Sequence, residues 1–140
     1  MQLNAYLSFN GQCEEAFKFY EACFGGKIEF IAPYAGTPMA DSVPAAGQNR
    51  IMHATLRVGD HVLMGADAPP EGSGQYESPK GFSMSIHIDQ PEEAERIFRA
   101  LSDKGIVQMP LQETFWATRF GMAIDRFGIP WMINCGKSPS

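Results

Sequence analysis

The chain repeats itself, and this limits its possible folds more than any other feature. Glu14-Glu15-Ala16 recurs as Glu92-Glu93-Ala94, Lys18 falls on Arg96, Ala22 on Ala100 and Ile28 on Ile106, all at an offset of 78. Before each helix the offset is 79, because the first turn is one residue longer; Asn4 then falls on Ser83, Tyr6 on Ser85 and Ser8 on His87. A repeat of about 60 residues marks a supersecondary unit that cannot cover its own sheet, so two copies should pair around a shared space.

Alternation and helical spacing give each copy the same element order. Leu3, Ala5, Leu7 and Phe9 face one way and Asn4, Tyr6 and Ser8 the other, the pattern of a half-buried strand. Glu14 to Phe24 carries Ala16, Phe17, Tyr20, Cys23 and Phe24 at helical spacing and ends at Gly25-Gly26, a left-handed cap. Lys27 to Tyr34 is a second strand, and the Pro- and Gly-rich stretch Ala35 to Asn49 is a long loop of the kind that rims sites. Ile51 to Val58 and Val62 to Asp67 complete the first copy around the Gly59-Asp60 turn. From Phe82 the pattern restarts: Phe82, Met84, Ile86 and Ile88 share a face, and Asp89-Gln90-Pro91-Glu92 predicts a capping box. The helix after it turns Ala94, Ile97, Phe98 and Leu101 inward. The expectation is an α+β fold in one domain, 1–140, with βαβββ modules at 2–67 and 81–135 and a linker at 68–80 containing Pro69-Pro70 and Gly72-Ser73-Gly74.

The closing stretch, Phe115 to Asn134, reads as two strands around the turn Asp125-Arg126-Phe127-Gly128. Phe120, Met122 and Ile124 face one way, Arg119, Gly121, Ala123 and Asp125 the other. Asp125 is read as a turn former, too far along the strand to reach Arg119, which therefore needs a ligand, a cross-strand acceptor or solvent. With 140 residues, 44% hydrophobic, and a net charge of −5, the chain can bury a sizeable core and offers no basic stripe for nucleic acid. No apolar run approaches the roughly 20 residues a membrane helix needs, and the start lacks a signal-like core, so a cytoplasmic location is expected. Cys13, Cys23 and Cys135 are an odd count without C-x-x-C spacing, the mark of reduced thiols.

The opening L-N-A-Y-L-S-F-N-G-Q-C-E-E-A-F-K-F-Y, the middle I-M-H-A-T-L and the closing F-W-A-T-R-F-G-M-A-I-D-R-F-G-I-P-W-M-I-N resemble the PhnB-like family. That family lies within the vicinal oxygen chelate superfamily of glyoxalase, bleomycin and fosfomycin resistance proteins and extradiol dioxygenases. The resemblance implies a homodimer with curved, cup-shaped mixed sheets and no single activity. In metal-dependent members, one ligand comes from the first strand of each module and one from the last, commonly His and Glu. Here those positions offer Asn4 and Ser83, or Tyr6 and Ser85 in a register shifted by two, with Leu63-Met64-Gly65 and Trp131-Met132-Ile133. None suits a divalent ion, so no metal or other cofactor is predicted.

Among chemically capable residues, His53 shares a face with Thr55 and Arg57 and has the pKa range of a general base. His61 and His87 are read as structural. Cys13 opens the first helix, whose dipole should favour thiolate. Arg119 has the planar fork that clamps an anion, and Tyr6, Trp116 and Trp131 can stack on a flat ligand. Gly72-Ser73-Gly74 lies outside any strand-to-helix turn, and without such a turn to hold a methyl donor, the quinone-methyltransferase label attached to some PhnB-like proteins is not carried over. The expected function is binding or sequestering a small, partly apolar anionic ligand without a metal, through Asn4, Tyr6, Ser8, His53, Thr55, Ser83, Ser85, Trp116, Arg119 and Trp131. The alternatives are a metal-dependent lyase, dioxygenase or transferase with its ligands at other positions, and a partner-binding scaffold with a filled cup. Whether the chain is an enzyme stays open at this point.

Overall fold

The computed structural model describes residues 1–69 and 76–136, so Pro70 and Gly72-Ser73-Gly74 of the expected linker lie outside the described residues. The chain divides into two units, Met1–Glu77 and Ser78–Ser140. The first holds β1 (Ala5–Phe9), α1 (Cys13–Phe24), β2 (Lys27–Pro33), β3 (Ile51–Val58) and β4 (His61–Asp67). The second holds β5 (Met84–His87), α2 (Pro91–Ser102), β6 (Ile106–Gln112), β7 (Ala117–Ile124) and β8 (Pro130–Gly136). Each unit forms an open four-stranded mixed sheet, ordered β1-β4-β3-β2 in the first (sheet 1) and β5-β8-β7-β6 in the second (sheet 2). The first strand of each pairs in parallel with the last, Tyr6 opposite Met64 and Ser85 opposite Met132; all other pairings are antiparallel.

Each helix covers one face of its own sheet with the apolar stripe its spacing predicts. In α1, Cys13, Ala16, Phe17, Tyr20 and Cys23 are buried; in α2, Ala94, Ile97, Phe98 and Leu101. Close approach requires glycine beneath each helix. A Cβ at Gly65 would lie 2.8 Å from the Leu7 carbonyl and 2.9 Å from the Phe17 ring, and one at Gly121 would lie 2.8 Å from the Phe98 ring. Alternation then turns Leu7, Phe9, Ala54 and Leu56 toward α1 and leaves Tyr6, Ser8, His53 and Thr55 on the opposite face.

Two expectations at element ends need correction. The first strand starts at Ala5 rather than Leu3, which is 97% exposed because the pairing with β4 begins only at Ala5. The capping box does not form: α2 begins at Pro91 after Gln90, so Glu92 is one position too early to reach back, and no side chain caps the helix. The stretch read as a featureless loop contains two short 3₁₀ turns, Ala40–Ser42 and Ala45–Gly47, held by the Gln48 amide donating to the carbonyls of Ala40 and Val43. No described helix is long and apolar enough to cross a membrane.

One buried carboxylate pins each unit. Asp67, 2% exposed at the end of β4, accepts from the backbone N–H groups of Gly11 and Cys13 at Oδ1 (2.8 and 3.0 Å) and of Ile51 at Oδ2 (2.8 Å). Asp125, 3% exposed, accepts from the N–H groups of Phe127 and Ile129 at Oδ1 and from the Trp131 indole N–H at Oδ2, while Gly128 N–H closes the turn on its carbonyl. Removing either carboxylate strands three donors, each costing about 1 to 3 kcal/mol when buried. Asp67→Ala and Asp125→Ala should therefore each lose about 3 kcal/mol or more in urea denaturation; a loss below about 1 kcal/mol would show that water replaces the carboxylate without penalty.

Candidate functional site

The face of sheet 1 turned away from α1 brings together residues that are 47 positions apart in the chain. The Tyr6 hydroxyl lies 3.1 Å from His53 Nδ1, and His53 Nε2 lies 3.1 Å from Thr55 Oγ1. Tyr6 reaches His53 because β1 pairs with β4 and β4 with β3, aligning Tyr6, Met64 and Thr55 across three strands. Phe30 sits opposite Thr55 on the edge strand, its ring centroid 5.9 Å from that of His53, while the Tyr6 ring lies 5.7 Å away on the other side. Both imidazole nitrogens are thus engaged and the ring is held between two aromatics. Burial above all, with Cys13 and Tyr34 adding to it, raises the Tyr6 pKa and keeps the phenol protonated at neutral pH. With the imidazole proton on Nε2, Tyr6 donates to Nδ1 and Nε2–H donates to Thr55; the other tautomer reverses both bonds. Either way, a proton can pass along Tyr6, His53 and Thr55. Tyr6 is 52% exposed and Phe30 50%, so the cluster combines apolar surface with a polar relay. Ser8 is exposed on the same face, and Asn4 is exposed ahead of β1.

The corresponding face of sheet 2 carries Ser85, His87, Met132, Asn134, Phe120 and Met122, with Ser83 just before β5. Trp116 leans on Phe120 with ring centroids 5.3 Å apart. The other two ligand candidates of this unit lie on its helix-facing side. Arg119, read as needing a ligand, a cross-strand acceptor or solvent, finds structural acceptors: Nε lies 3.3 Å from Oε1 of Glu95 on α2, and NH1 donates to the Thr118 carbonyl. Its charge already has a carboxylate, which removes the argument for an anionic ligand. Trp131, expected as a ligand wall, is 3% exposed and spends its N–H on Asp125, so it is a core residue. The Trp131-Met132-Ile133 alternation held the signal: only Met132 can share a face with Ser85. Neither the Tyr6 phenol with the Met64 thioether on sheet 1 nor the Ser85 hydroxyl with the Met132 thioether on sheet 2 is a good donor set for a divalent ion. Among the described residues, no three of His, Cys, Asp and Glu converge.

Comparison with known proteins gives a consistent result. A family model described as 3-demethylubiquinone-9 3-methyltransferase matches residues 1–134. Protein YjdN of Escherichia coli is 36% identical, with 98% of this chain and 97% of that protein covered. Protein PA1353 of Pseudomonas aeruginosa superposes with a TM-score of 0.89 at 46% identity, with 99% of each chain covered. The fosfomycin resistance protein FosX of Listeria monocytogenes superposes at 0.66 over 98% of this chain and 94% of its own, at 9% identity, a likeness of fold alone. The fold is the vicinal oxygen chelate α+β fold.

Cys13 departs from its expected chemistry. It is fully buried, and burial first, then the carboxylates of Asp67 and Glu14, push its pKa strongly upward instead of toward thiolate. The start of α1 is not an open positive pole, because Asp67 already accepts from the Cys13 N–H. Cys13 is a neutral core thiol. A pKa raised on folding stabilises the fold fully below the ordinary thiol value of 9.0, and the effect is lost as pH climbs from there toward the folded value. Between about pH 9 and 11, the wild type should lose stability faster than Cys13→Ala by up to about 1.4 kcal/mol per pH unit, the slope for one proton. Parallel pH profiles in urea denaturation would show instead that this thiol ionises freely in the folded chain.

Proposed function

The chain belongs to the family described as 3-demethylubiquinone-9 3-methyltransferase, the PhnB-like branch of the glyoxalase, bleomycin resistance and dioxygenase superfamily, and from that premise we propose that it binds a small organic molecule over Tyr6, His53, Thr55 and Phe30. The observation that carries this reading is the relay in which His53 is gripped at both nitrogens between two half-exposed aromatic rings. Such an arrangement suits a flat, partly apolar ligand with an oxygen that can accept from the Tyr6 hydroxyl: an aryl ketone or a quinone ring. The family description supports the quinone class. It also names methyl transfer, for which a donor would need its own cradle. The first strand-to-helix turn supports binding rather than transfer, because its Gly11 and Cys13 N–H groups are already committed to Asp67.

The ligand is held without a metal in this reading, which the poor donor set supports; a metal-dependent lyase, dioxygenase or transferase is the alternative. The protein acts in the cytoplasm as a homodimer. Half-exposed Phe30 on edge strand β2, and Ile106 and Val107 on edge strand β6, support association, since open edges and apolar surface favour pairing with another copy.

A thermal-shift screen of aryl ketones and benzoquinones, on protein purified without a metal-binding tag, tests the reading. At least one compound should raise the melting temperature, and His53→Ala and Tyr6→Phe should each weaken that compound by about three- to tenfold, the value of one neutral hydrogen bond. Unchanged affinity in both variants would remove the site from this face. Elemental analysis showing about one divalent ion per chain, with the compound's binding lost on chelation, would favour the metal-dependent alternative.

A further inference from the structure

A second binding position emerges on sheet 2, from observations independent of the Tyr6 and His53 cluster. Asn134 Oδ1 is buried and has no hydrogen-bond partner among the described residues. A buried acceptor left unpaired is costly and calls for an explanation. The Asp89 carboxylate, 3.7 Å from His87 Nε2, favours the tautomer with its proton on Nε2, which leaves Nδ1 as an acceptor. Asn134 Nδ2 lies 3.4 Å from His87 Nδ1 on the neighbouring strand, where His87 is paired with Asn134. An acceptor at Nδ1 takes an amide N–H, so the carboxamide turns its nitrogen toward His87. His87 therefore holds the amide nitrogen, and the oxygen is the end left over.

The surroundings of that oxygen define what could pair with it. Across the antiparallel pairing, Asn134 sits directly opposite Phe120, so the two side chains share the face turned away from α2. Phe120 in turn packs against Trp116, which is 48% exposed and itself meets Phe115 edge-on at 4.8 Å. The tight turn from Thr114 to Ala117, in which Thr114 N–H donates to the Ala117 carbonyl and Ala117 N–H to Thr114 Oγ1, fixes these two aromatics. Partly buried Met122 and Met132 lie beside Phe120 and Asn134, polarisable thioethers that suit an aromatic ring.

We propose that this face of sheet 2 binds a hydroxylated aromatic ring, whose O–H donates to Asn134 Oδ1 while the ring packs against Phe120, Met132 and Trp116. The acceptor makes the site selective: a ring of the same shape without the hydroxyl proton leaves Asn134 unpaired.

Phenol and anisole, which differ in that proton, are the probes, titrated into the full-length protein and followed by Trp116 fluorescence in a Trp131→Phe background and by NMR of the Asn134 side-chain amide. Phenol should bind about three- to tenfold more tightly than anisole, the value of one neutral hydrogen bond, and should shift the Asn134 amide and His87 ring signals. Asn134→Leu should bring the ratio to about one. If that variant or the Trp131→Phe background fails to fold, the amide and His87 shifts in wild type decide alone: movement with phenol and not with anisole supports the site. Equal affinities in wild type, a preference that survives Asn134→Leu, or no shift at these residues up to solubility would overturn it.

Discussion

The carboxylate of Asp67 is the interaction on which the first unit depends. It sits at the end of β4 and gathers N–H groups from the turn before α1, from the first residue of α1 and from the first residue of β3. One buried charge thus ties the last strand to the helix and to its neighbouring strand, and is itself neutralised by three aligned dipoles. With β4 and β3 locked in register, Met64 faces Thr55 and Tyr6 comes within reach of His53. A slip of one residue would turn Tyr6, His53 and Thr55 into the core and expose Leu7 and Leu56. The polar face exists because the carboxylate and the apolar stripe of α1 agree on one register.

The second unit meets the same demands with different residues. The pairings of Tyr6 with Met64 and of Ser85 with Met132 place Cys135 at the position equivalent to Asp67. A thiol is enough there because α2 begins with Pro91, which has no N–H to satisfy. The buried carboxylate moves instead to Asp125, at the hairpin, where it holds the turn and the Trp131 indole. Divergence between the two copies is therefore a redistribution of polar pins over an unchanged backbone plan, and it leaves the two faces turned away from the helices with different chemistry: a hydroxyl and imidazole relay on one, a carboxamide among aromatics and thioethers on the other.

Much of this was legible in the sequence, because alternation and helical spacing are local. The repeat, the faces of β1, β3 and β7, and both helix stripes follow from residue order alone, and Tyr6, His53 and Thr55 all fall on one predicted face. What was not legible depended on distant residues meeting. Residue order left the partner of Arg119 open between a ligand, a cross-strand acceptor and solvent, because Glu95 is 24 residues away. A hint was present: Glu95 occupies the position where the first helix has buried Phe17, so an acid there invites a base from the sheet. Cys13 looked activated because a helix start is positive in general, whereas here Asp67, 54 residues on, had already taken up the N–H group. Asp67 itself was readable in outline, an acid alternating with Leu63 and Gly65 on the helix-facing side of a strand, and such a residue has to find donors.

The central claim is that the face built on His53 is where a ligand sits, and mapping by two-dimensional NMR on labelled protein tests it most directly. On titrating the tightest-binding aryl ketone or quinone, the account predicts that the largest shifts cluster at Tyr6, Phe30, His53 and Thr55, and that the His53 ring nitrogen signals move as the relay rearranges. Shifts that leave these four residues still while tracing another surface would contradict it.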